Sequence, residues 1–168
     1  MMKKHLFYGS STGNTEYVAH MIASTMGFRE LPVTDIRDAH AEDLLSADGL
    51  ILGVSTWTDG SLQYDWEEFL PNLDTMDLHG KKVALFGLGD SANFAGKFVN
   101  ALRVLYDKVV ERGAEVIGMW PTEGYSYSGS SAVVDNRFVG LAIDMENENE
   151  KTFQRVSSWC SLIKPQMT

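Results

Sequence analysis

Eight residues near the start of the chain, Gly9-Ser10-Ser11-Thr12-Gly13-Asn14-Thr15-Glu16, can bind an anion without using a cation. Two glycines allow a tight turn and bring backbone N–H groups close to a ligand. Four hydroxyls and one amide add side-chain donors. An amphipathic stretch follows directly, so a helix N-terminus should lie beside the loop, and its free N–H groups and dipole favour negative charge. The stretch lacks the Gly-Lys-Ser/Thr of a Walker A loop, which removes the main support for nucleoside triphosphate hydrolysis. Neutral donors alone suit a compact terminal phosphate monoester. Read by themselves, the same Ser, Thr and Asn residues could equally cap the helix.

Two further segments can hold a flat ring. Ser55-Thr56-Trp57-Thr58-Asp59-Gly60 places a large aromatic where the chain leaves an apolar run, and Gly60 makes a mobile turn plausible. Gly87-Leu88-Gly89-Asp90-Ser91-Ala92-Asn93-Phe94 offers backbone N–H groups and a second aromatic. Gly87, Gly89 and Ala92 also match the dinucleotide pattern G-x-G-x-x-G/A, but that pattern needs an acid about 20 positions on, at the end of the next strand. Asp107 has roughly that spacing and falls in the middle of a helical stretch. Taken singly, Trp57 could be a packed rim residue and Phe94 a core residue of a simple turn. Taken together, the three segments describe a flat heterocycle on a phosphorylated tail.

The elements that must position these segments alternate along the chain. Lys4–Tyr8, Gly49–Val54, Val83–Gly87 and Glu115–Met119 read as buried strands, and Glu30–Thr34 as a weaker one. Pro32 cannot donate a ladder hydrogen bond, which suits an edge strand. Thr15–Met26 places Val18, Ile22 and Met26 on one helical face, with Gly27 as a stop. Lys97–Arg112 does the same with Phe98, Leu102, Leu105 and Val109, and Lys151–Ile163 with Phe153, Val156, Trp159 and Ile163. Strand–helix alternation with near-continuous apolar strands predicts an α/β fold whose parallel sheet is covered on both faces. Ligands of such folds bind beyond the carboxyl ends of the strands, where the three segments begin.

The chain has 168 residues, enough for one domain, with 44% apolar and 22% charged residues and a formal net charge of −9. That charge argues against nucleic acid, whose phosphates need Lys and Arg, and favours basic partners or simply solubility. No run approaches a membrane span, and the first apolar stretch is too short for a signal peptide. Cys160 is the single cysteine, so neither an internal disulfide nor a CxxC site is possible; a packing role and a cytoplasmic location are expected.

At this point the sequence resembles the flavodoxins. The matching stretches are G-S-S-T-G-N-T-E at 9–16, S-T-W at 55–57, D-W-E-E-F-L-P at 65–71, F-G-L-G-D at 86–90, W-P-T-E-G-Y at 120–125 and F-V-G-L-A-I-D at 138–144. The resemblance implies a doubly wound five-stranded parallel sheet of order 2-1-3-4-5 in three α/β/α layers, spanning 1–168 as one domain. Residues 120–137 look like the insertion that splits the last strand in the bacterial long-chain branch. The implied cofactor is one non-covalent FMN. Ser10, Ser11, Thr12, Gly13, Asn14 and Thr15 would serve its phosphate. Thr56, Trp57, Thr58, Gly89, Asp90 and Phe94 would frame the isoalloxazine, with Trp57 and Phe94 on opposite faces, Asp144 would reach the ribityl chain, and Ser55, Gly60, Leu88 and Asn93 are further expected cofactor-binding residues. Phe94 stands where the family usually has Tyr, and Thr58-Asp59 is not a Gly-containing pair.

The function implied is low-potential one-electron transfer by a monomer, between a donor of the flavodoxin/ferredoxin-NADP reductase type and acceptor redox enzymes. Asp59, Asp65, Glu67, Glu68 and Asp90 would form the docking surface. The Thr58 carbonyl is expected to turn toward flavin N5–H on the first reduction; a net hydrogen bond of about 1 kcal/mol corresponds to roughly 45 mV for one electron. Two rivals stand beside this reading. An FMN-dependent quinone or nitro-group reductase would need an acid–base pair near the ring, and His5, His20, His40 and His79 all lie outside the ligand segments. A phosphoacceptor receiver would need acids after the first strand, where Gly9-Ser10-Ser11 stands.

Overall fold

The computed structural model describes residues 1–168. In chain order the elements are β1 (Lys4–Tyr8), α1 (Asn14–Met26), β2 (Val33–Asp35), α2 (Ala41–Leu45), β3 (Gly49–Ser55), α3 (Tyr64–Leu73), β4 (Lys82–Leu88), α4 (Ala101–Glu111), β5 (Glu115–Ile117), β6 (Trp120–Pro121), β7 (Val133–Val134), β8 (Arg137–Phe138), β9 (Leu141–Ile143), α5 (Met145–Glu148) and α6 (Thr152–Ile163). β1, β3 and β4 are buried along almost their whole length. They show no alternation because helices cover both faces of the sheet.

The sheet runs in the order β2-β1-β3-β4-β5, all parallel, with β9 also on β4. β5 pairs with Lys82–Ala84 and β9 with Phe86–Leu88, so the fifth position of the sheet is filled by two pieces. The chain between them carries a small antiparallel sheet, β6-β8-β7. The break has a local cause. Gly118 turns out of the strand at φ +81°, and a Cβ there would stand 2.8 Å from Trp159 Nε1 and Ile163 Cγ2. This shortens the strand expected at Glu115–Met119.

One apolar cluster lies on each side of the sheet. Trp66, Leu102 and Leu105 belong to the first, which also takes in Phe138 and Val139 from the end of the inserted stretch. Ile22, Phe86 and Trp159 belong to the second, together with Cys160 at 2% exposure. No helix is long and apolar enough to cross a membrane.

Three expectations shift. The weak strand is Val33–Asp35, so Pro32 lies just outside it, and its carbonyl accepts from the Leu6 N–H at 2.9 Å. The helix expected from Lys97 begins at Ala101, because buried Val99 sits at φ +49° and interrupts any helix there. On α6, Phe153 is 66% exposed rather than packed, and Thr152 takes the inward position beside it. Asp107 lies within α4, ion-paired to Arg103 at 2.7 Å, away from any strand end.

Candidate cofactor site

A cavity of about 360 Å³ opens beyond the carboxyl ends of β1, β3 and β4. Its wall is built by Ser11, Thr12 and Asn14, by Ser55 to Thr58, by Leu88, Gly89, Asp90 and Phe94, and by Met145 and Glu146. No Lys or Arg lines it.

At one end, α1 starts without a side-chain cap. Its N-cap is Gly13, at φ +93°. The Ser10 hydroxyl accepts from the Gly13 N–H at 3.0 Å, one residue before the helix, and so shapes the turn instead of capping. The N–H groups of the first turn, from Asn14 onward, therefore have no intrahelical partner and no side chain over them. The Ser11 hydroxyl accepts from Gln63 Nε2 at 3.2 Å. Gln63 is 1% exposed, and its Oε1 accepts from the Trp66 N–H at 3.3 Å, which anchors it at the start of α3. Asn14 Nδ2 points toward Glu146 Oε1 at 3.5 Å. Thr15 is 2% exposed and packs inward.

At the other end stand two exposed rings, Trp57 at 46% and Phe94 at 37%. Neither is a packed core residue. The turn after Trp57 is held by Gly60 N–H to the Trp57 carbonyl at 2.8 Å and Trp57 N–H to the Ser61 carbonyl at 3.0 Å. The Asp59 carboxylate accepts from the Ser61 hydroxyl at 2.5 Å and amide at 3.0 Å, and these bonds hold its acid below the ordinary value. Thr56 Oγ1 accepts from the Ala101 N–H at 3.1 Å, joining this segment to the start of α4.

Asp90 organises the second loop. It accepts from the Ala92 and Asn93 amides at 3.2 and 3.0 Å, from Asn93 Nδ2 at 2.8 Å and from Asn147 Nδ2 at 2.9 Å. Partial burial pushes its pKa up, but these donors outweigh it and hold the carboxyl below the usual range. Asn93 thus turns toward Asp90, and Gly60 lies beside the cavity wall without lining it.

Asp144, expected at the ribityl chain, is fully buried and does not line the cavity wall. Its carboxylate is saturated by the Ser91 amide and hydroxyl and by the Asn147 amide and side chain, and it caps α5. The wall positions fall instead to Met145 and Glu146, which the sequence reading missed. The rule that selected the other segments, a loop at a strand's carboxyl end, applies equally to these two residues after β9. Gln63 carried no comparable signal.

The arrangement can hold an anion on neutral donors at one end and a planar, apolar ring at the other. The family model described as flavodoxin matches residues 6–159. The chain is 45% identical over 166 residues to a flavodoxin of Synechocystis sp., covering 98% of each chain. It is 43% identical over 163 residues to flavodoxin 1 of Escherichia coli, covering 96% of this chain and 93% of that one. Its fold superposes with a TM-score of 0.95 on a crystal structure of Fusobacterium nucleatum flavodoxin bound to flavin mononucleotide, at 30% identity and full coverage of both chains. On the family match and on identities above two fifths along nearly its whole length, the chain belongs to the flavodoxin family.

Proposed function

We propose that this chain is a one-electron carrier that holds one FMN in the cavity beyond β1, β3 and β4. The observation that carries the reading is the meeting, in one cavity free of cations, of an uncapped 13-residue helix and two exposed aromatic rings. An uncapped helix start and exposed aromatics are each unfavourable without a ligand, and a phosphorylated flat heterocycle satisfies both. When bound, FMN supplies reversible one-electron chemistry.

The residues divide the work. Ser11, Thr12, Asn14 and the first N–H groups of α1 bind the phosphate, with Ser10, Gly13 and Thr15 shaping the loop. Trp57 and Phe94 cover the ring, exclude water from it and fix its plane. Ser55, Thr56, Thr58, Leu88, Gly89 and Asp90 line its edges, Asn93 and Gly60 support those linings, and Met145 and Glu146 close the cavity beside the phosphate loop. Asp144 acts only through Ser91 and Asn147.

All 168 residues form one FMN-binding unit. Support comes from Ala132, Phe138 and Val139, which share a cluster with Leu85 and Phe98. The split fifth strand fits the long-chain branch. The chain works as a cytoplasmic monomer, receiving electrons from a reductase of the flavodoxin/ferredoxin-NADP type and passing them to redox enzymes. The exposed acids Glu67 and Glu68 of α3, which pair with no cation, support docking to basic partners.

Titration of the FMN-free chain with FMN, followed by loss of flavin fluorescence, should saturate at one equivalent. Stepwise anaerobic reduction of the complex should then resolve two separate one-electron potentials. A single two-electron step, or no uptake of FMN, would overturn the proposal.

A further inference from the structure

The insertion between β5 and β9 grips the segment that follows Phe94. The Ser128 and Gly129 amides donate to the Ala95 carbonyl at 2.9 and 3.0 Å, and the Phe98 amide donates to the Gly129 carbonyl at 3.2 Å. The Ser130 hydroxyl donates to the Phe98 carbonyl at 2.5 Å. The Phe98 ring packs on Tyr127 and Phe138, with centroids 5.6 and 5.9 Å apart. Val99, a buried β-branched residue, is held at φ +49°. That conformation is a rare one for such a residue and persists only where the surroundings impose it.

The next residue, Asn100, faces two ways. Its Oδ1 accepts from the Ser131 amide at 2.8 Å, on the insertion. Its Nδ2 packs on the turn after Trp57, where a Cβ on Gly60 would stand 3.3 Å from Nδ2 and the same distance from Lys97 Cδ. Gly60, at φ +88°, closes that turn by donating to the Trp57 carbonyl. The Thr58–Asp59 peptide is therefore the central peptide of a β-turn. Such a peptide can rotate while the closing bond survives, provided that the last residue keeps its place. Asn100 and Lys97 both lie against Gly60, and the Ser131 amide ties Asn100 to the insertion.

We infer that Asn100 is a positioning residue through which the insertion sets the potential of the first one-electron reduction. This rests on the reading of the cavity as an FMN site. Without the link, Gly60 moves with the rotating peptide, and the Thr58 carbonyl is less well placed to accept a hydrogen bond from a ring N–H. The first potential then falls. Affinity for oxidised FMN, set by the phosphate loop and the two rings, changes little.

The test uses Asn100→Ala, the near-isosteric Asn100→Leu, which still packs on Gly60 but cannot accept from Ser131, and Ser130→Ala, which loosens the insertion without touching Asn100. Two quantities are read in the full chain. One is the first reduction potential of the FMN complex, and the other is hydrogen exchange at the Gly60 amide in FMN-free protein. All three variants should lower the first reduction equilibrium at least threefold, about 28 mV at 59 mV per tenfold change. All three should also speed Gly60 exchange at least threefold, with FMN affinity within threefold of the parent. Parent-like values for Asn100→Leu, or for Ser130→Ala, would overturn the inference in favour of local packing alone. If the parent took up no FMN, the proposed function would fall, and unchanged Gly60 exchange in the variants would separately sink the link.

Discussion

Ser91 presents both its backbone N–H, at 3.3 Å, and its hydroxyl to the carboxylate of Asp144, which lies fully buried at the start of α5. The contact ties the loop after β4 to the end of β9, and Asn147 extends it by donating to Asp90 and Asp144 together. A buried carboxylate with no cation beside it is tolerable only because donors surround it. Asp144→Ala leaves those donors facing an apolar methyl, at about 1–3 kcal/mol for each group left unsatisfied. We expect a loss of roughly 3 kcal/mol, or a drop of roughly 6–12 °C in Tm for a chain of this size. Thermal unfolding of Asp144→Ala against the parent checks this, and a shift under 2 °C would remove Asp144 from the framework of the site.

Trp57 and Phe94 make a sharper distinction, because both rings are exposed and neither supports the core. Truncating either should leave stability of the FMN-free chain nearly unchanged. Stacking of a heterocycle on an aromatic side chain is worth about 1–3 kcal/mol, so Trp57→Ala should weaken FMN binding by roughly 5- to 150-fold. Phe94→Tyr keeps the stacking area and should bind FMN within about threefold of the parent. Fluorescence titration of the variants with FMN measures each effect. Equal affinity for Trp57→Ala and the parent would exclude Trp57 from the ring site.

What could be read from residue order was mostly what local pattern controls. Continuous apolar runs specified β1, β3 and β4 to within one or two residues, and the C-terminal stop at Gly27, φ +62°, follows from the sequence. The failures lie where distant chain decides. Phe98 has helical spacing with Leu102 and Leu105 and is indeed buried, yet its amide goes to Gly129 across the insertion, and no helix forms there. Phe153 has the right spacing on α6 but falls where no neighbouring element covers it, and Thr152 is buried instead. At the site, loops at strand ends were legible because ligand chemistry shows in their residue types. Gln63 and Asn147 act through bonds spanning 52 and 57 positions, which no local window contains.

Tyr125 makes alkaline stability a test of how the insertion is anchored. Its hydroxyl donates to the Ala142 carbonyl at 2.6 Å and accepts from Trp120 Nε1 at 2.8 Å, while the Arg155 guanidinium lies 3.9 Å from the ring centroid. Burial pushes the phenol up to about 12, with Arg155 opposing it. A folded-state value above the unfolded one, near 10, favours the fold while the phenol stays protonated. That contribution is complete below pH 10 and is lost as pH rises from 10 toward 12. Tyr125→Phe should cost about 1–2 kcal/mol at pH 7 by orphaning Trp120 Nε1. The gap to the parent should narrow above pH 10. Urea midpoints at pH 7 and at pH 10–11 test both parts, and a gap that stayed constant would show that the phenol does not titrate as its surroundings dictate.

Docking is where the net charge of −9 should act. Glu67 and Glu68 project from α3 into solvent with no cation within 4 Å, and Asp59 is exposed on the turn beside Trp57. Asp65 is partly covered and accepts from Gln63 Nε2 at 2.7 Å, so it is committed to the site's framework and contributes less to an approaching partner. Charges at the rim of an interface alter the rate of encounter more than the lifetime of the complex. Reversing Glu67 and Glu68 to Lys should therefore slow association with a basic reductase by about tenfold at low salt. The difference should shrink as the Debye length falls from about 30 Å at 0.01 M to about 3 Å at 1 M. Neither residue lines the cavity beyond β1, β3 and β4, so the potentials and FMN affinity should stay near those of the parent. Stopped-flow reduction across that salt range separates the two effects. Parallel salt dependences for the parent and the double variant would place the docking surface elsewhere on the molecule.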